Sequence, residues 1–167
     1  VIIGDPKLKN EAFLRRFGKF VNSLGGSYIT AEDVNMKTSD MEYIRMETPH
    51  VTGLPESMGG GGDPSPVTAF GVFMGMKAAA RRVYGTDSLD KRRIAVQGLG
   101  QVGTNLIGYL VKDGADVFVT DVHPDRTRRV AQQYNVTPVE PDDIYDVDCD
   151  IYAPFALGAT VNDETIV

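Results

Sequence analysis

The sequence is short of the residues that support disulfide bonds, metal binding and membrane insertion. It contains one cysteine, Cys149, which excludes an intramolecular disulfide bond and favours a reducing, cytoplasmic setting. The two histidines, His50 and His123, lie far apart, and no Cys/His/Glu cluster has the spacing of metal ligands, so we expect no metal site. No apolar run reaches the roughly 18 residues that a membrane-spanning helix needs. We therefore expect neither a metal nor a membrane as a partner.

Positive charge is also scarce. The 17 lysine and arginine residues are outnumbered by 23 aspartate and glutamate residues, and a net charge of −6 argues against nucleic acid as a partner. The local basic cluster from Arg126 to Arg129 is typical of the solvated end of a helix or strand. With 42% hydrophobic and 24% charged residues, the 167-residue chain has the composition of a globular protein with one large domain or two smaller ones.

The first third of the chain predicts short elements. "VIIG" at residues 1–4 reads as a strand that enters a turn, and Asn10 begins a helix whose apolar residues form one stripe. Gly25 and Gly26 end that helix. "SYIT" predicts a strand and "AEDVNMKT" a loop, after which Ser39 is expected to cap a short helix. The apolar residues of the short helix are Met41, Ile44 and Met46.

A stretch rich in proline and glycine, residues 48–66, predicts a domain boundary, and alternating elements follow it. A helix is expected from Pro66 to Tyr84, with Ser65 as its cap. Further helices are expected at residues 101–112 and 124–134. Strands are expected at "RRIAVQG", "ADVFVTD", residues 136–139, "CDIYAPF" and the start of "TIV". Strands that alternate with helices predict a parallel sheet with right-handed crossovers.

The segment "IAVQGLGQVGTNL" carries a dinucleotide-binding signal. Gly98, Gly100 and Gly103 form G-x-G-x-x-G between a strand and a helix, where they allow a tight turn, a close approach to a pyrophosphate and close packing of the helix. Asp121 ends the next strand, where a carboxylate accepts hydrogen bonds from ribose hydroxyl groups and favours NAD over NADP. Two alternatives stay open at this point: a tight turn in a domain that binds nothing, and NADP bound through Arg126, Arg128 and Arg129.

A set of segments in fixed order resembles one enzyme family. The segments are "VIIGDP", "YITAEDV", "ETPHVTGLPE", "GDPSPVTAFGVFMGMKAAA", "YGTDSLD", "VQGLGQVG", "VTDV" and "DDIYDVDCDIYAPFALGATVND". They resemble the glutamate/leucine/phenylalanine/valine dehydrogenases, and the leucine dehydrogenase branch in particular. The resemblance implies an α/β chain whose C-terminal part is a Rossmann-type doubly wound parallel sheet. It implies the end of an α/β catalytic and oligomerisation domain at residues 1–52, a hinge at 53–66 and an incomplete NAD-binding domain at 67–167.

The resemblance also implies a reaction and its residues. The family oxidatively deaminates an L-amino acid with NAD to a 2-oxo acid and ammonium, reversibly, and Asp33 matches the family's proton-transferring aspartate. Ala31 and Thr52 match the substrate pocket. The implied cofactor-binding residues are Thr68, Gly98, Gly100, Gln101, Val102, Gly103, Asp121, Val122, Ala156 and Leu157.

The chain departs from the family in two respects. Phe155 stands where the leucine branch has a cysteine, and Lys7 and Lys9 do not match the two family lysines that bind the substrate. We therefore expect an internal part of a longer, cytoplasmic, homo-oligomeric enzyme that acts on leucine, valine or phenylalanine. The alternatives are a regulatory homologue that binds NAD without catalysis and an NAD-linked oxidoreductase of another substrate class.

Four consecutive glycines, Gly59 to Gly62, precede the helix at Pro66 and follow no strand. We expect a mobile segment beside the cleft between the domains, because glycine permits the backbone angles of a bending loop. Ser65 and Thr68, just beyond it, would then meet the nicotinamide half of the cofactor.

Overall fold

In the computed structural model, which describes residue 2 and residues 4–166, the chain divides into two units, residues 1–64 and 65–167. The strand expected at residues 1–4 includes Val1 and Ile3, which lie outside the described residues. Within the described part of the chain, no helix is both long and apolar enough to cross a membrane.

Helix α1, Glu11–Ser23, forms as expected in the first unit. The Asn10 side chain accepts a hydrogen bond from the Phe13 N–H at 3.0 Å, and Gly25 and Gly26 follow the helix with positive φ angles of 57° and 87°. The expected single apolar stripe is wrong in part, because the buried side chains are Leu14 and Val21, while Phe13, Phe20 and Leu24 are exposed. The cause is Gly18: a β-carbon there would lie 2.9 Å from the Ile44 carbonyl oxygen, so α1 packs closely along the Leu14–Gly18–Val21 face only.

Helix α2, Thr38–Arg45, begins before Ser39, so the expected serine cap is wrong. The Lys37 N–H instead donates to the carboxylate of Asp40 at 2.8 Å, and the Lys9 ammonium group binds the same carboxylate. Met41 and Ile44 are fully buried as expected. Met46 lies beyond the helix and is 61% exposed, because its position falls off the face that packs on α1.

The expected "SYIT" strand is also wrong. Only Thr30 pairs, in a single parallel bridge with Val51, and Tyr28 and Ile29 are exposed. A half-buried strand buries every second side chain, whereas only Thr30 is buried in this segment. The bridge nevertheless fixes the position of Thr52, whose N–H donates to the Thr30 carbonyl at 2.8 Å.

The second unit has the expected α/β architecture. Helix α3 spans Ser65–Tyr84, and Ser65 is its first helical residue. The helices and strands that follow it in chain order are β1 Arg93–Gln97, α4 Gln101–Lys112, β2 Asp116–Thr120, α5 Pro124–Tyr134, β3 Thr137–Pro138 and β4 Ile151–Pro154. The four strands are parallel and form one sheet in the order β3-β2-β1-β4.

The strand expected at "TIV" is wrong for its described residues. The Asn162 side chain accepts hydrogen bonds from the N–H groups of Glu164 at 2.8 Å and Thr165 at 3.3 Å. The Thr165 hydroxyl donates to the Thr160 carbonyl at 2.9 Å. These local bonds close a turn, which asparagine and threonine side chains favour over a strand. Val167 lies outside the described residues.

One face of the sheet forms the core of the second unit. Ile94, Val96 and Val119 are fully buried against α4, which contributes Leu106 and Leu110. Side chains from α3 and α5 complete this cluster: Ala69, Phe73, Met76, Ala80 and Val130. Because β1 pairs in parallel with both β2 and β4, the carboxyl ends of these three strands lie at one edge of the sheet.

The core makes a testable stability prediction. Val130→Ala, in α5, should lower the free energy of unfolding by about 2 kcal/mol, because it removes two buried methyl groups and leaves a cavity. Val83→Ala is the matched control, since Val83 also lies in a helix but is 69% exposed. Urea unfolding followed by circular dichroism measures both. Equal effects of the two substitutions would contradict the burial described for Val130.

Candidate dinucleotide-binding site

The glycine-rich loop after β1 uses its three glycines differently. Gly98 has a φ of 99°, and a β-carbon on it would lie 2.4 Å from the Ala156 nitrogen. A β-carbon on Gly103 would lie 2.2 Å from the Gly98 oxygen. At both positions any residue larger than glycine would clash with the protein's own backbone. A β-carbon on Gly100 would meet nothing within 4 Å, so the chain leaves an open space there.

That open space lies at the start of α4. Gly100 is the residue before the helix and has no side chain with which to cap it. The positive end of the α4 dipole and the backbone of its first turn, Gln101 and Val102, therefore lie beside the open space. A helix N-terminus of this kind, next to a residue without a side chain, accommodates a phosphate group. The loop thus fits the pyrophosphate of a dinucleotide.

Asp121 joins this loop to the end of β2. Its carboxylate is buried and accepts hydrogen bonds from the Leu99 N–H at 2.8 Å and the His123 N–H at 2.9 Å, and it pairs with Arg126 at 3.0 Å. Burial by itself would raise the pKa of this carboxyl group, but the two N–H donors and the Arg126 charge outweigh burial and hold the pKa below its usual range. Asp121 is therefore ionised at neutral pH and braces the glycine-rich loop.

From the sequence, Asp121 was expected to bind the ribose hydroxyl groups of the cofactor. Its hydrogen bonds to the glycine-rich loop were not predicted. Leu99 was not among the predicted site residues, and Arg126 was considered only as a ligand of a 2′-phosphate group. The available signal was topological: β1 and β2 are parallel neighbours, with Gln97 paired to Thr120, so the residues that follow them meet at one edge.

The segment after β4 lies against the same loop. The Phe155 N–H donates to the Gln97 carbonyl at 2.7 Å, and Ala156 follows beside Gly98. Ala156 and Leu157 are exposed, and so is Val122 after β2. The structure thus brings together, at one edge of the sheet, the expected cofactor residues of three loops.

Thr68 is placed at this edge by helix α3. Phe73 stacks on Tyr109 with ring centres 5.7 Å apart, and four residues further along both segments Lys77 binds Asp113, the residue after α4, at 3.0 Å. The two helices therefore run side by side in the same direction. Thr68 is exposed and belongs to the first turn of α3, so it lies at the end where α4 begins.

The expected substrate-side residues belong to the first unit and lie near one another. Ala31 follows Thr30, to which Thr52 is hydrogen-bonded, and all three expected residues, Ala31, Asp33 and Thr52, are exposed. The Asp33 carboxylate accepts a hydrogen bond from the Val34 N–H at 2.7 Å. Among the described residues, no group of three or more His, Cys, Asp or Glu side chains is arranged to hold a metal ion.

The four-glycine segment is a hydrogen-bonded turn. Gly59 and Gly62 have positive φ angles of 77° and 72°, as expected of glycines in a bending loop. A β-carbon on Gly60 would lie 2.0 Å from the Leu54 oxygen, which also accepts the Gly62 N–H at 2.9 Å. Close approach to Leu54 is thus a second reason for glycine here. The motion of this segment stays a prediction.

A parallel sheet whose first strand leads into G-x-G-x-x-G and a helix defines the nucleotide-binding half of a Rossmann-type domain. The family model "Glutamate/Leucine/Phenylalanine/Valine dehydrogenase" matches residues 59–123. Leucine dehydrogenase of Bacillus subtilis (strain 168) is 53% identical over 167 residues, which cover 99% of this chain and 46% of that enzyme. The chain belongs to the glutamate/leucine/phenylalanine/valine dehydrogenase family.

Solved structures share the fold. The crystal structure of L-tryptophan dehydrogenase from Nostoc punctiforme is 42% identical, with a TM-score of 0.70 over 99% of this chain and 46% of that one. A hetero-hexameric glutamate dehydrogenase from Thermus thermophilus, 22% identical, has a TM-score of 0.75 over 96% of this chain and 45% of its own, which shows the fold alone. The chain thus spans about half the length of the relatives it matches.

The Asp121 brace predicts a pH-dependent stability. Asp121→Asn should lower the free energy of unfolding at pH 7 by about 1–3 kcal/mol, because an amide cannot accept all three donors. The folded-state pKa is lowered, so the carboxylate stabilises the fold above its unfolded pKa of about 3.9, and this contribution is lost as the pH falls through the folded pKa. The stability of the variant should therefore depend less on pH below about pH 5.

Asp125→Asn is the control for this prediction. The Asp125 side chain is 92% exposed and pairs only with the exposed Arg128. Its substitution should leave stability within about 0.5 kcal/mol. Urea unfolding between pH 3 and 7 measures all three proteins. An Asp121→Asn profile parallel to that of the wild type would show that the carboxylate carries no such charge-dependent role.

Proposed function

We propose that the full-length protein that carries this chain is an NAD-dependent dehydrogenase of apolar L-amino acids. It would oxidatively deaminate leucine, valine or phenylalanine to the 2-oxo acid and ammonium, and catalyse the reverse reaction. The observation that carries this proposal is the open space at Gly100 beside the start of α4. The substrate class is supported by the relatives, among which are leucine and tryptophan dehydrogenases. A cytoplasmic location and a homo-oligomeric assembly are part of the proposal.

The cofactor would be held by the edge of the sheet where three loops meet. Gly100, Gln101 and Val102 would bind the pyrophosphate, because the dipole end of α4 favours a negative group. The residues after β4, Ala156 and Leu157, and Thr68 of α3 would line the nicotinamide side. When bound, NAD supplies the acceptor for the hydride of the substrate α-carbon.

NAD is favoured over NADP by the charges around β2. Asp121 is ionised, and a carboxylate at this position repels a 2′-phosphate group. Two of the three arginines near that position are paired with carboxylates: Arg126 with Asp121 and Arg128 with Asp125. Both ion pairs reduce the positive charge offered to a phosphate.

Asp33 is proposed as the proton carrier at the substrate nitrogen. The amino group must lose a proton before the α-carbon is oxidised, and ammonia must be protonated when it leaves. Asp33 suits this task because its side chain is exposed and one of its oxygens accepts only the neighbouring Val34 N–H. Ala31 and Thr52, on the adjoining backbone, would contact the substrate side chain.

The glycine loop predicts separate effects on binding and stability. Gly100→Ala should leave the melting temperature nearly unchanged, since its β-carbon meets open space, but raise the Kd for NAD by roughly five- to hundredfold, the equivalent of an overpacking cost of about 1–3 kcal/mol. Gly98→Ala should instead destabilise the fold. Calorimetric titration and thermal unfolding of the full-length protein measure the two effects.

Gly75→Ala in α3 is the matched control, because its β-carbon also meets nothing within 4 Å and it lies inside a helix. It should leave NAD binding unchanged and raise the melting temperature slightly, because alanine is more favourable than glycine inside a helix by about 0.5–1 kcal/mol. Unchanged NAD affinity in Gly100→Ala would refute the assignment of the open space to the cofactor.

The role of Asp33 predicts a selective loss of turnover. Asp33→Asn should lower kcat for NADH formation by about 10²- to 10⁴-fold, the usual contribution of a general acid or base, without changing the Kd for NAD. Asp5→Asn is the control, since Asp5 is also exposed and also accepts a local N–H, that of Lys7 at 2.9 Å. NAD binding by the wild type without turnover of any branched or aromatic L-amino acid would favour a regulatory homologue.

A further inference from the structure

A buried amide side chain lies directly before the glycine-rich loop. Along β1, Ile94 and Val96 enter the helix-covered core, whereas Ala95 and Gln97 alternate to the opposite face. Gln97 is the last residue of the strand and only 9% exposed. A buried polar side chain needs hydrogen-bond partners, and those of Gln97 are both tyrosines.

The two tyrosines hold both ends of the Gln97 amide. The Tyr152 hydroxyl donates to Gln97 Oε1, and Gln97 Nε2 donates to the Tyr145 hydroxyl at 2.8 Å. The two rings lie 6.0 Å apart. Tyr152 belongs to β4, and Tyr145 to the single helical turn Asp143–Asp146 that precedes it. The network therefore joins β1 to β4 through side chains, in addition to the strand pairing.

The Tyr152 hydroxyl keeps its proton. Burial, followed by the neighbouring Tyr145, raises the pKa of Tyr152 to about 12. The Tyr152 hydroxyl is consequently a hydrogen-bond donor to Gln97 at neutral pH.

The strands that it joins lead into the two loops of the proposed cofactor site. Gln97 precedes Gly98, and its carbonyl accepts the Phe155 N–H at 2.7 Å. The backbone at Ala156 passes so close to Gly98 that no β-carbon fits between them. A small shift of β4 along β1 would therefore close or open this contact and move both loops together.

We propose that Gln97, Tyr145 and Tyr152 are positioning residues that set the spacing between the glycine-rich loop and the Ala156–Leu157 segment. This inference rests on the proposed function. The network touches neither the cofactor nor the substrate. It acts through the two loops, and its loss should weaken NAD binding without abolishing the fold.

Tyr152→Phe in the full-length protein tests the proposal with two readouts. The Kd for NAD should rise by about three- to tenfold, the equivalent of one hydrogen bond lost from a preorganised site, with a smaller change in the KM for the amino acid. In the cofactor-free protein, amide hydrogen exchange should accelerate at residues 98–103 and 155–158. Gln97→Leu removes the amide and with it both hydrogen bonds at once, so adding Tyr152→Phe to it should weaken binding little further.

Tyr84→Phe is the matched control. The Tyr84 hydroxyl donates to the Asp150 carbonyl at 3.1 Å, near the opposite end of β4, so its loss should cost similar stability but leave NAD affinity and loop exchange unchanged. Equal effects of the two phenylalanine substitutions on NAD affinity, or unchanged loop exchange in Tyr152→Phe, would overturn the proposal. Failure of the wild type to bind NAD would instead refute the proposed function. The hydrogen-exchange experiment uses the cofactor-free protein, so it would still test whether the network positions the two loops.

Discussion

The contact on which this site depends is the passage of the Gly98 backbone against Ala156. A β-carbon cannot fit there, and Gly98 takes a positive φ that other residues adopt only with strain. The contact sets the distance between the loop after β1 and the segment after β4. Because Gly103 packs on the Gly98 carbonyl, it also sets where α4 begins. The position of the open space at Gly100 follows from both.

Two polar groups hold this contact from either side. The buried carboxylate of Asp121 binds the Leu99 N–H from the direction of β2. The amide of Gln97 ties β1 to β4 through Tyr152. Each group places its polar atoms where the backbone or a hydroxyl satisfies them, as burial requires. The site is therefore built from a rigid edge of the sheet, and its open part is confined to the residues that a ligand would meet.

Features of the fold that depend on neighbouring residues were predictable from the sequence. Features that depend on a partner far away in the chain were not. The bounds of α4 and α5 follow from glycine and proline beside them, so both were predicted to the residue. The "SYIT" strand failed because its existence depends on a partner that the sequence does not reveal. The glycine motif was visible as spacing, but the partners that Asp121 and Gln97 find elsewhere in the chain, Leu99, Tyr145 and Tyr152, became visible only in the fold.

The most direct test of the site is a crystal structure of the full-length protein with NAD. The pyrophosphate oxygens should lie within about 3 Å of the backbone N–H groups at the start of α4, beside Gly100, as charge-assisted hydrogen bonds require. The Gly98–Ala156 contact and the Asp121 brace should be unchanged by binding. A pyrophosphate bound elsewhere, or a glycine-rich loop rebuilt around it, would contradict a preformed dinucleotide site.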